Sequence, residues 1–230
     1  MIEAQKLSIS VGSESVSGLL LRPPNAKALY LFAHAAGAGM THKAMESNAQ
    51  GLAERRIATL RYQFLYMEKG SKRPDPPKLA HAVVRAAASA AGQIAPDLPL
   101  FGGGRSFGGR MTSQTQAEEP LPNVRGLIFL GFPLHPAGKP GTERAEHLTR
   151  VKIPMLFVSG DRDALAEMEL LEPVVAGLGD LATLRLVAHA DHSFKVAAER
   201  GRTSAEAEAE ALHAVGAWIT PGHQTLSRNS

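Results

Sequence analysis

The sequence contains no cysteine. This absence excludes disulfide bonds, zinc sites built on thiolates, and thiol catalysis. Aromatic residues are scarce, at 5% of the 230 residues, and lysine and arginine are scattered without forming a basic stripe. Nucleic-acid-binding proteins usually combine basic clusters with aromatic residues that stack on bases. The composition therefore argues against nucleic acid as a partner.

The sequence also lacks long apolar runs. None approaches the roughly 18 residues that a membrane span requires, and Met1–Lys6 lacks the apolar segment of a signal peptide. We therefore expect a cytoplasmic protein with no membrane association. The length and a hydrophobic content of 44% fit one globular domain, expected over residues 1–220, with a polar, frayed tail over residues 221–230.

The pattern of apolar residues predicts an α/β protein. Leu7–Ser10 and Gly18–Leu21 resemble a β-hairpin that turns near Gly12–Glu14. Further strands are predicted, mostly as the unbroken apolar runs of a sheet covered on both faces. They are Ala28–Ala33, Ile57–Tyr62, Leu98–Gly102, Gly126–Leu130, Pro154–Val158 and Thr183–Val187.

Helices are predicted between these strands. Thr41 is expected to cap a helix over residues 42–55, and Leu79, Val83, Ala86 and Ala90 share one face of a second helix. The others are a helix after Ser106, short helices at Glu143–Arg150 and Ala164–Leu178, and a last helix from Thr203 to about Ile219. Repeated strand–helix–strand units predict a mostly parallel, doubly wound sheet, whose functional residues follow the carboxyl ends of its strands.

The glycine-rich stretch Phe101–Arg110 follows one of these strands. A phosphate-binding loop would need a lysine that this stretch lacks, and the dinucleotide fingerprint fails because Phe107 stands at its third glycine. A plain structural turn remains an alternative. The segment from Gly104 to Gly108 fits the G-x-S-x-G nucleophile elbow, in which a strained turn raises the oxygen of Ser106 above the sheet.

A nucleophilic serine needs a histidine base and an orienting carboxylate, which follow it in that fold in the order Ser, acid, His. Asp163 is the preferred acid and Asp161 the alternative, although both could be solvated loop residues. His192 is the preferred base and His189 the alternative. No metal site is predicted, because Val187 stands where a two-metal hydrolase would carry a further histidine.

The developing oxyanion would need two backbone donors. The expected donors are the N–H of Phe107 and the N–H of Ala36, in the loop His34–Met40. Four residues are candidates for lining the pocket: His34, Phe64, Tyr66 and His135. For His34 and His135 the competing interpretations are local packing and a surface loop, respectively. Lys69, Lys72 and Arg73 would attract an anionic substrate or would simply be solvated.

Five segments together resemble a known family: LFAHAAGAGM, GGRSFGGRM, LGFPLHPAGKPGTERAEHL, FVSGDRDALA and ADHSFK. They are similar to small predicted bacterial hydrolases of the α/β-hydrolase superfamily. These are related to dienelactone hydrolases and to the hydrolase-like domain of testis-expressed and chromatin-complex proteins. The resemblance covers about Ala28 to Trp218 and implies Ser106 as nucleophile, Asp163 as acid and His192 as base.

The sequence departs from that pattern twice. Dienelactone hydrolases resemble this sequence but use a cysteine nucleophile, which argues against a dienelactone substrate. Ala35 stands where the related loop usually has glycine, and a positive φ there would strain an alanine.

The expected function is that of a cofactor-free carboxylic ester hydrolase. It would cleave a small ester or thioester through an acyl-enzyme, in an open site without a substantial lid, because the connection 131–152 is short. Two alternatives stay open. One is a non-catalytic module that binds a partner protein, and the other is an acyltransferase with an acceptor other than water.

Overall fold

The computed structural model describes residues 2–220, so the predicted tail at 221–230 lies outside the described residues. Eight strands form one sheet in the order β1-β2-β4-β3-β5-β6-β7-β8. The strands are β1 Gln5–Val11, β2 Glu14–Leu21, β3 Ala28–Ala33, β4 Ile57–Tyr62, β5 Leu100–Arg105, β6 Val124–Leu130, β7 Met155–Gly160 and β8 Ala182–Val187.

The sheet confirms the predicted α/β architecture. β1 and β2 form the antiparallel hairpin, which turns after Val11, and β2 pairs antiparallel with β4. All other neighbouring pairs are parallel. Every residue of β3, β4 and β7 is buried, as their unbroken apolar runs predict for strands covered on both faces.

Helices cover both faces of the sheet. They are α1 Lys43–Glu54, α2 Leu65–Glu68, α3 Pro77–Ile94, α4 Phe107–Glu118, α5 Met168–Gly177 and α6 Ser204–Ile219. α1 and α6 pack on one face through residues such as Leu52 and Val215. α3, α4 and α5 pack on the other through residues such as Val83, Met111 and Leu171.

Three helix predictions differ from the structure, two of them in where the helix begins and one in the type of helix. The N-cap of α1 is His42, whose side chain accepts a hydrogen bond from the N–H of Ala44, so Thr41 is not the cap. α5 begins at Met168 rather than at 164, and Glu143–Arg150 is a 3₁₀ helix. By contrast, α6 lies where the sequence predicts a helix, and Thr203, directly before its first residue, caps it in a reciprocal capping box with Glu206.

The predicted face of α3 was wrong by about one position. Leu79 is 46% exposed, whereas Ala80, Val84 and Ala87 are fully buried beside Val83. An alanine-rich helix offers more than one apolar stripe. The stripe that carries both valines packs on the sheet, because it places more apolar surface in the core.

The topology gathers the candidate site residues at one edge. The carboxyl ends of the parallel strands β3 to β8 point the same way, so the loops after β3, β5, β6, β7 and β8 meet there. None of the helices among residues 2–220 is both long and apolar enough to cross a membrane.

Candidate active site

Ser106 occupies the turn between β5 and α4 with φ 48° and ψ −116°. A residue other than glycine adopts this backbone conformation only when the surrounding structure holds it there. The N–H of Ser106 donates to the carbonyl oxygen of Leu130 on β6, 3.2 Å away, and α4 begins at the next residue, Phe107. The strand and the helix therefore meet at a single strained serine, as the elbow motif predicts.

The two motif glycines are required by close packing against β3. A Cβ atom on Gly104 would lie 2.3 Å from the carbonyl oxygen of Ala33. A Cβ on Gly108 would lie 2.6 Å from the carbonyl oxygens of Ala33 and His34. Real Cβ atoms essentially never approach so closely, and backbone atoms cannot swing aside as a flexible side chain would. The expectation that both positions must be tiny is confirmed.

Three side chains from three loops form a continuous hydrogen-bonded chain. Nε2 of His192 lies 2.8 Å from Oγ of Ser106, and Nδ1 of His192 lies 2.8 Å from Oδ2 of Asp163. Asp163 is only 2% exposed, and its other oxygen accepts the N–H of Leu165 at 2.8 Å. The carboxylate can only accept, so Nδ1 carries the proton and Nε2 is left to accept from the hydroxyl of Ser106.

Asp161 and His189, the alternative acid and base, are not part of this hydrogen-bonded chain. Asp161 accepts the backbone N–H of His189 at 2.7 Å, which fixes the turn after β8. Asp191 accepts the backbone N–H groups of Ser193 and Lys195. These carboxylates thus shape the loop that presents His192. Among residues 2–220, no group of three or more Asp, Glu or His side chains is arranged to hold a metal ion.

A glycine after β6 leaves space for the imidazole. Gly131 has φ 70°, and a Cβ there would lie 2.9 Å from the carbonyl oxygen of His192 and 3.3 Å from its ring. The histidine loop therefore packs directly on the backbone that follows β6. This contact holds the ring between Ser106 and Asp163.

The loop after β3 is fixed by two buried side chains. His34 is fully buried; its Nδ1 donates to the carbonyl oxygen of Ala35 at 2.8 Å, and its Nε2 accepts the N–H of Phe64 at 3.2 Å. The hydroxyl of Tyr66 accepts the N–H of Gly37 at 3.2 Å. Burial lowers the pKa of His34 to about 4, against the smaller opposite effect of the Ala35 carbonyl, so the ring is neutral at pH 7.

Positive φ in this loop falls on Gly37, at 71°, and not on Ala35. The alanine at position 35 therefore carries none of the strain that a positive φ would cause. Ala36 is exposed and lines the same cavity as Ser106 and Phe107.

That cavity has a volume of about 290 Å³. Its wall combines the loop after β3, the segment before α3, the start of α4, the connection after β6 and a residue of the loop after β7. The lining residues are Ala36, Pro74, Asp75, Pro77, Ser106, Phe107, Arg110, Met111, Pro133, Arg144 and Leu165.

The four residues predicted to line the pocket are not part of this wall. His34, Phe64, Tyr66 and His135 are each no more than 3% exposed. The rings of Phe64 and Tyr66 pack against Phe107 from below, at centroid distances of 5.2 and 6.3 Å, and Tyr66 also borders a neighbouring surface depression. Phe64 and Tyr66, which follow β4, support the loop after β3 and the start of α4. Their side chains therefore do not line the cavity.

The comparisons with known proteins agree with this fold. A family model described as "Alpha/beta hydrolase domain" matches residues 26–220. The chain belongs to the α/β-hydrolase family. A solved α/β serine hydrolase homologue from Coxiella burnetii matches this α/β-hydrolase with 19% identity and a TM-score of 0.74, over 94% of this chain and 99% of that one.

Two further solved structures share the fold of this α/β-hydrolase. A dienelactone hydrolase from Anabaena variabilis is 23% identical, with 94% of each chain covered and a TM-score of 0.72. A serine hydrolase described as lacking a lid, from Xanthomonas campestris, is 20% identical, with 96% of each chain covered and a TM-score of 0.72. At these identities the likeness establishes the fold.

Sequence reasoning missed Arg105, which links the elbow to the histidine loop. This residue, only 8% exposed, donates to the carbonyl oxygen of Ser193 at 3.2 Å and to Oδ1 of Asn48 at 2.8 Å. Its guanidinium also lies 3.6 Å from the carboxylate of Glu208 and over the ring of Phe194. The signal was visible as a charged residue inside an apolar strand end, next to the serine of the motif.

A second buried histidine lies behind the elbow of this α/β-hydrolase. Nε2 of His147 is 2.8 Å from Oγ of Ser113 on α4. Burial, with smaller contributions from the positive charges of Arg150 and Arg110, lowers the pKa of His147 to about 4. His147 and His34 are therefore both neutral in the folded chain at pH 7.

The elbow packing predicts a large effect of one methyl group. Gly108→Ala should destabilise the fold by about 1–3 kcal/mol, because its Cβ would overlap the backbone of β3. Urea unfolding measures this. Gly177→Ala is the control, since a Cβ there meets nothing within 4 Å and φ is not positive. Equal stability of the two variants would contradict the packing described.

The two neutral histidines predict a loss of stability in mild acid. Their folded pKa values of about 4 lie below the unfolded value of about 6.5, so below pH 6.5 the unfolded chain binds protons that the folded chain does not. Their contribution to stability is therefore present above pH 6.5 and is lost as the pH falls towards 4. We expect the free energy of unfolding of His147→Gln to depend less steeply on pH between pH 6 and 4.5 than that of wild type. The difference should be up to about 1.4 kcal/mol per pH unit. An unchanged slope would refute the assignment.

Proposed function

We propose that this α/β-hydrolase is a serine hydrolase that cleaves a small carboxylic ester or thioester through an acyl-enzyme. The observation that carries the proposal is the chain of two 2.8 Å contacts from Ser106 through His192 to Asp163. A serine hydroxyl is a weak nucleophile, and this geometry provides the base and the orienting carboxylate that it needs.

In the acylation half-reaction, Nε2 of His192 takes the proton of the Ser106 hydroxyl while Oγ attacks the carbonyl carbon of the substrate. The negative charge of Asp163 stabilises the imidazolium that forms. When the tetrahedral intermediate collapses, the bond to the leaving alcohol or thiol breaks and His192 returns the proton to it. The acyl group remains on Ser106 as an ester.

In the deacylation half-reaction, His192 takes a proton from water, whose oxygen attacks the acyl carbonyl. The bond to Oγ then breaks, the proton returns to Ser106, and the carboxylic acid leaves. An acceptor other than water would give acyl transfer by the same steps. The chemistry calls for no metal or cofactor.

Two backbone N–H groups are proposed to bind the oxyanion, those of Phe107 and Ala36. Phe107 directly follows the nucleophile at the start of α4, where the first N–H groups of a helix lack intrahelical acceptors. Ala36 borders the same cavity, and the Tyr66 hydroxyl and the His34 ring hold its loop in place. A donor that is already fixed stabilises the oxyanion without reorganisation.

The site is proposed to be open. The connection between β6 and β7 spans residues 131–154 and contains one 3₁₀ helix, while the ring of His192 keeps 20% of its surface exposed. The Xanthomonas protein of the same fold is described as a serine hydrolase without a lid. A small substrate could therefore enter without a large conformational change.

A fluorophosphonate probe tests the nucleophile. We expect rapid labelling of wild type at Ser106, located by peptide mass spectrometry, and no labelling of Ser106→Ala. Ser13→Ala, which removes an exposed serine in the hairpin turn, should label like wild type. A folded wild-type protein that stays unlabelled would support the alternative of a non-catalytic partner-binding module.

A second experiment tests the acid. Asp163→Asn should lower kcat about 10³–10⁴-fold on 4-nitrophenyl acetate, because an amide can donate to Nδ1 and so favours the wrong imidazole tautomer. Asp161→Asn is the matched control, since Asp161 contacts the backbone of His189 and not the ring of His192. Similar losses in both variants would argue against Asp163 as the orienting group.

A further inference from the structure

Two arginines line the cavity beside Ser106. Arg110 lies in the first turn of α4, four residues after the serine, and Arg144 lies in the 3₁₀ helix of the connection after β6. The two come from different elements, and both are half-buried. Each positive charge thus borders the same small space as the hydroxyl of Ser106.

Among residues 2–220, neither arginine has a carboxylate within ion-pairing distance. Nε of Arg110 is buried without a hydrogen-bond partner in the described structure, and its guanidinium lies over the ring of Phe107 at 5.9 Å. Arg144 donates to the carbonyl oxygen of His135 at 2.9 Å. Each guanidinium has five N–H donors, so most of this capacity is not used by the protein.

The charges near the arginines do not neutralise them. Asp75 borders the cavity, but its carboxylate faces α2, where it accepts the N–H of Tyr66 at 2.9 Å. Glu167 is hydrogen-bonded to the ring of His135. Burial on its own would lower the pKa of His135, but the carbonyl of Pro136 and the carboxylate of Glu167 outweigh it and raise that pKa.

Partly burying two like charges side by side is costly unless something else compensates. Burial lowers the pKa of Arg110, the nearby charge of Arg144 lowers it further, and burial also lowers the pKa of Arg144. A bound oxyanion would compensate this cost, because guanidinium groups match the planar geometry of carboxylate and the oxygens of phosphate.

We propose that Arg110 and Arg144 bind an anionic group of the substrate, so that the preferred ester or thioester carries a carboxylate or a phosphate. This inference rests on the proposed function, because it takes Ser106 as the reacting group. A cavity of about 290 Å³ lies at the low end of the usual range of small-molecule pockets. The anion therefore lies only a few bonds from the scissile carbonyl. The exposed cations at Lys69, Lys72 and Arg73 are outside this wall.

Matched substrates test the proposal, with kcat/KM as the measured quantity. The acyl-side pair is mono(4-nitrophenyl) adipate against neutral 4-nitrophenyl hexanoate, which have the same acyl chain length. The alcohol-side set is 3-acetoxybenzoate and 3-acetoxyphenyl phosphate against neutral phenyl acetate. A preference in the first pair locates the anion on the acyl side. A preference in the second set locates it on the alcohol side and distinguishes carboxylate from phosphate.

We expect wild type to prefer an anionic member by tenfold or more in one of the two comparisons. The ratio of anionic to neutral kcat/KM should fall about 10- to 100-fold in Arg144→Gln and in Arg110→Gln, since each loses a charge-assisted hydrogen bond. Arg144→Lys should give an intermediate ratio, because it keeps the charge but not the guanidinium geometry. Lys139→Gln removes a charge from the same connection, outside the cavity wall, and should keep the wild-type ratio.

The outcomes separate this inference from the proposed function. Prompt fluorophosphonate labelling of Ser106 with no anionic preference in either comparison would overturn the inference and leave the hydrolase intact. Absence of both labelling and hydrolysis would overturn the proposed function. In that case, calorimetric titrations of Ser106→Ala with monomethyl adipate, 3-acetoxybenzoate and 3-acetoxyphenyl phosphate still decide the anion site. Binding of any one of them that Arg144→Gln weakens tenfold or more supports the site. Absence of binding for all three, or binding that Arg144→Gln leaves unaffected, refutes it.

Discussion

The structure depends most on the close approach of the β5–α4 turn to β3. Without side chains at Gly104 and Gly108, the turn packs on the backbone of Ala33, and Ser106 is held at φ 48° with its hydroxyl directed towards His192. This backbone conformation is unfavourable in isolation and persists because the packing leaves no room to relax. The sheet therefore compensates the strain, and the strained turn positions the proposed nucleophile before any ligand arrives.

The same turn is linked to the rest of the site through its neighbouring residues. Arg105, on one side of the serine, reaches across to the carbonyl of Ser193 beside His192, while its charge is matched by Glu208 on α6. Phe107, on the other side, rests on the aromatic side chains that support the loop of Ala36. The proposed base, oxyanion donors and nucleophile are thus positioned by one continuous set of contacts, which is how preorganised sites gain their effect.

Much of the fold could be predicted from the sequence, because buried parallel strands leave unbroken apolar runs and the elbow needs glycine at fixed positions. The spatial meeting of Ser106, Asp163 and His192 followed from chain order and strand ends. The four expected pocket residues did not line the cavity, since sequence shows that a side chain follows a strand but not whether it faces the cavity or supports a loop. Arg144 carried no local signal, and the buried face of α3 was ambiguous because alanine fits several stripes.

The most direct test of the account is a crystal structure of the protein after reaction with a fluorophosphonate. We expect phosphorus bonded to Oγ of Ser106, the imidazole of His192 still hydrogen-bonded to Asp163, and the phosphonyl oxygen within hydrogen-bond distance of the N–H groups of Phe107 and Ala36. An adduct on another residue would contradict it. So would a phosphonyl oxygen that both amides leave unbound.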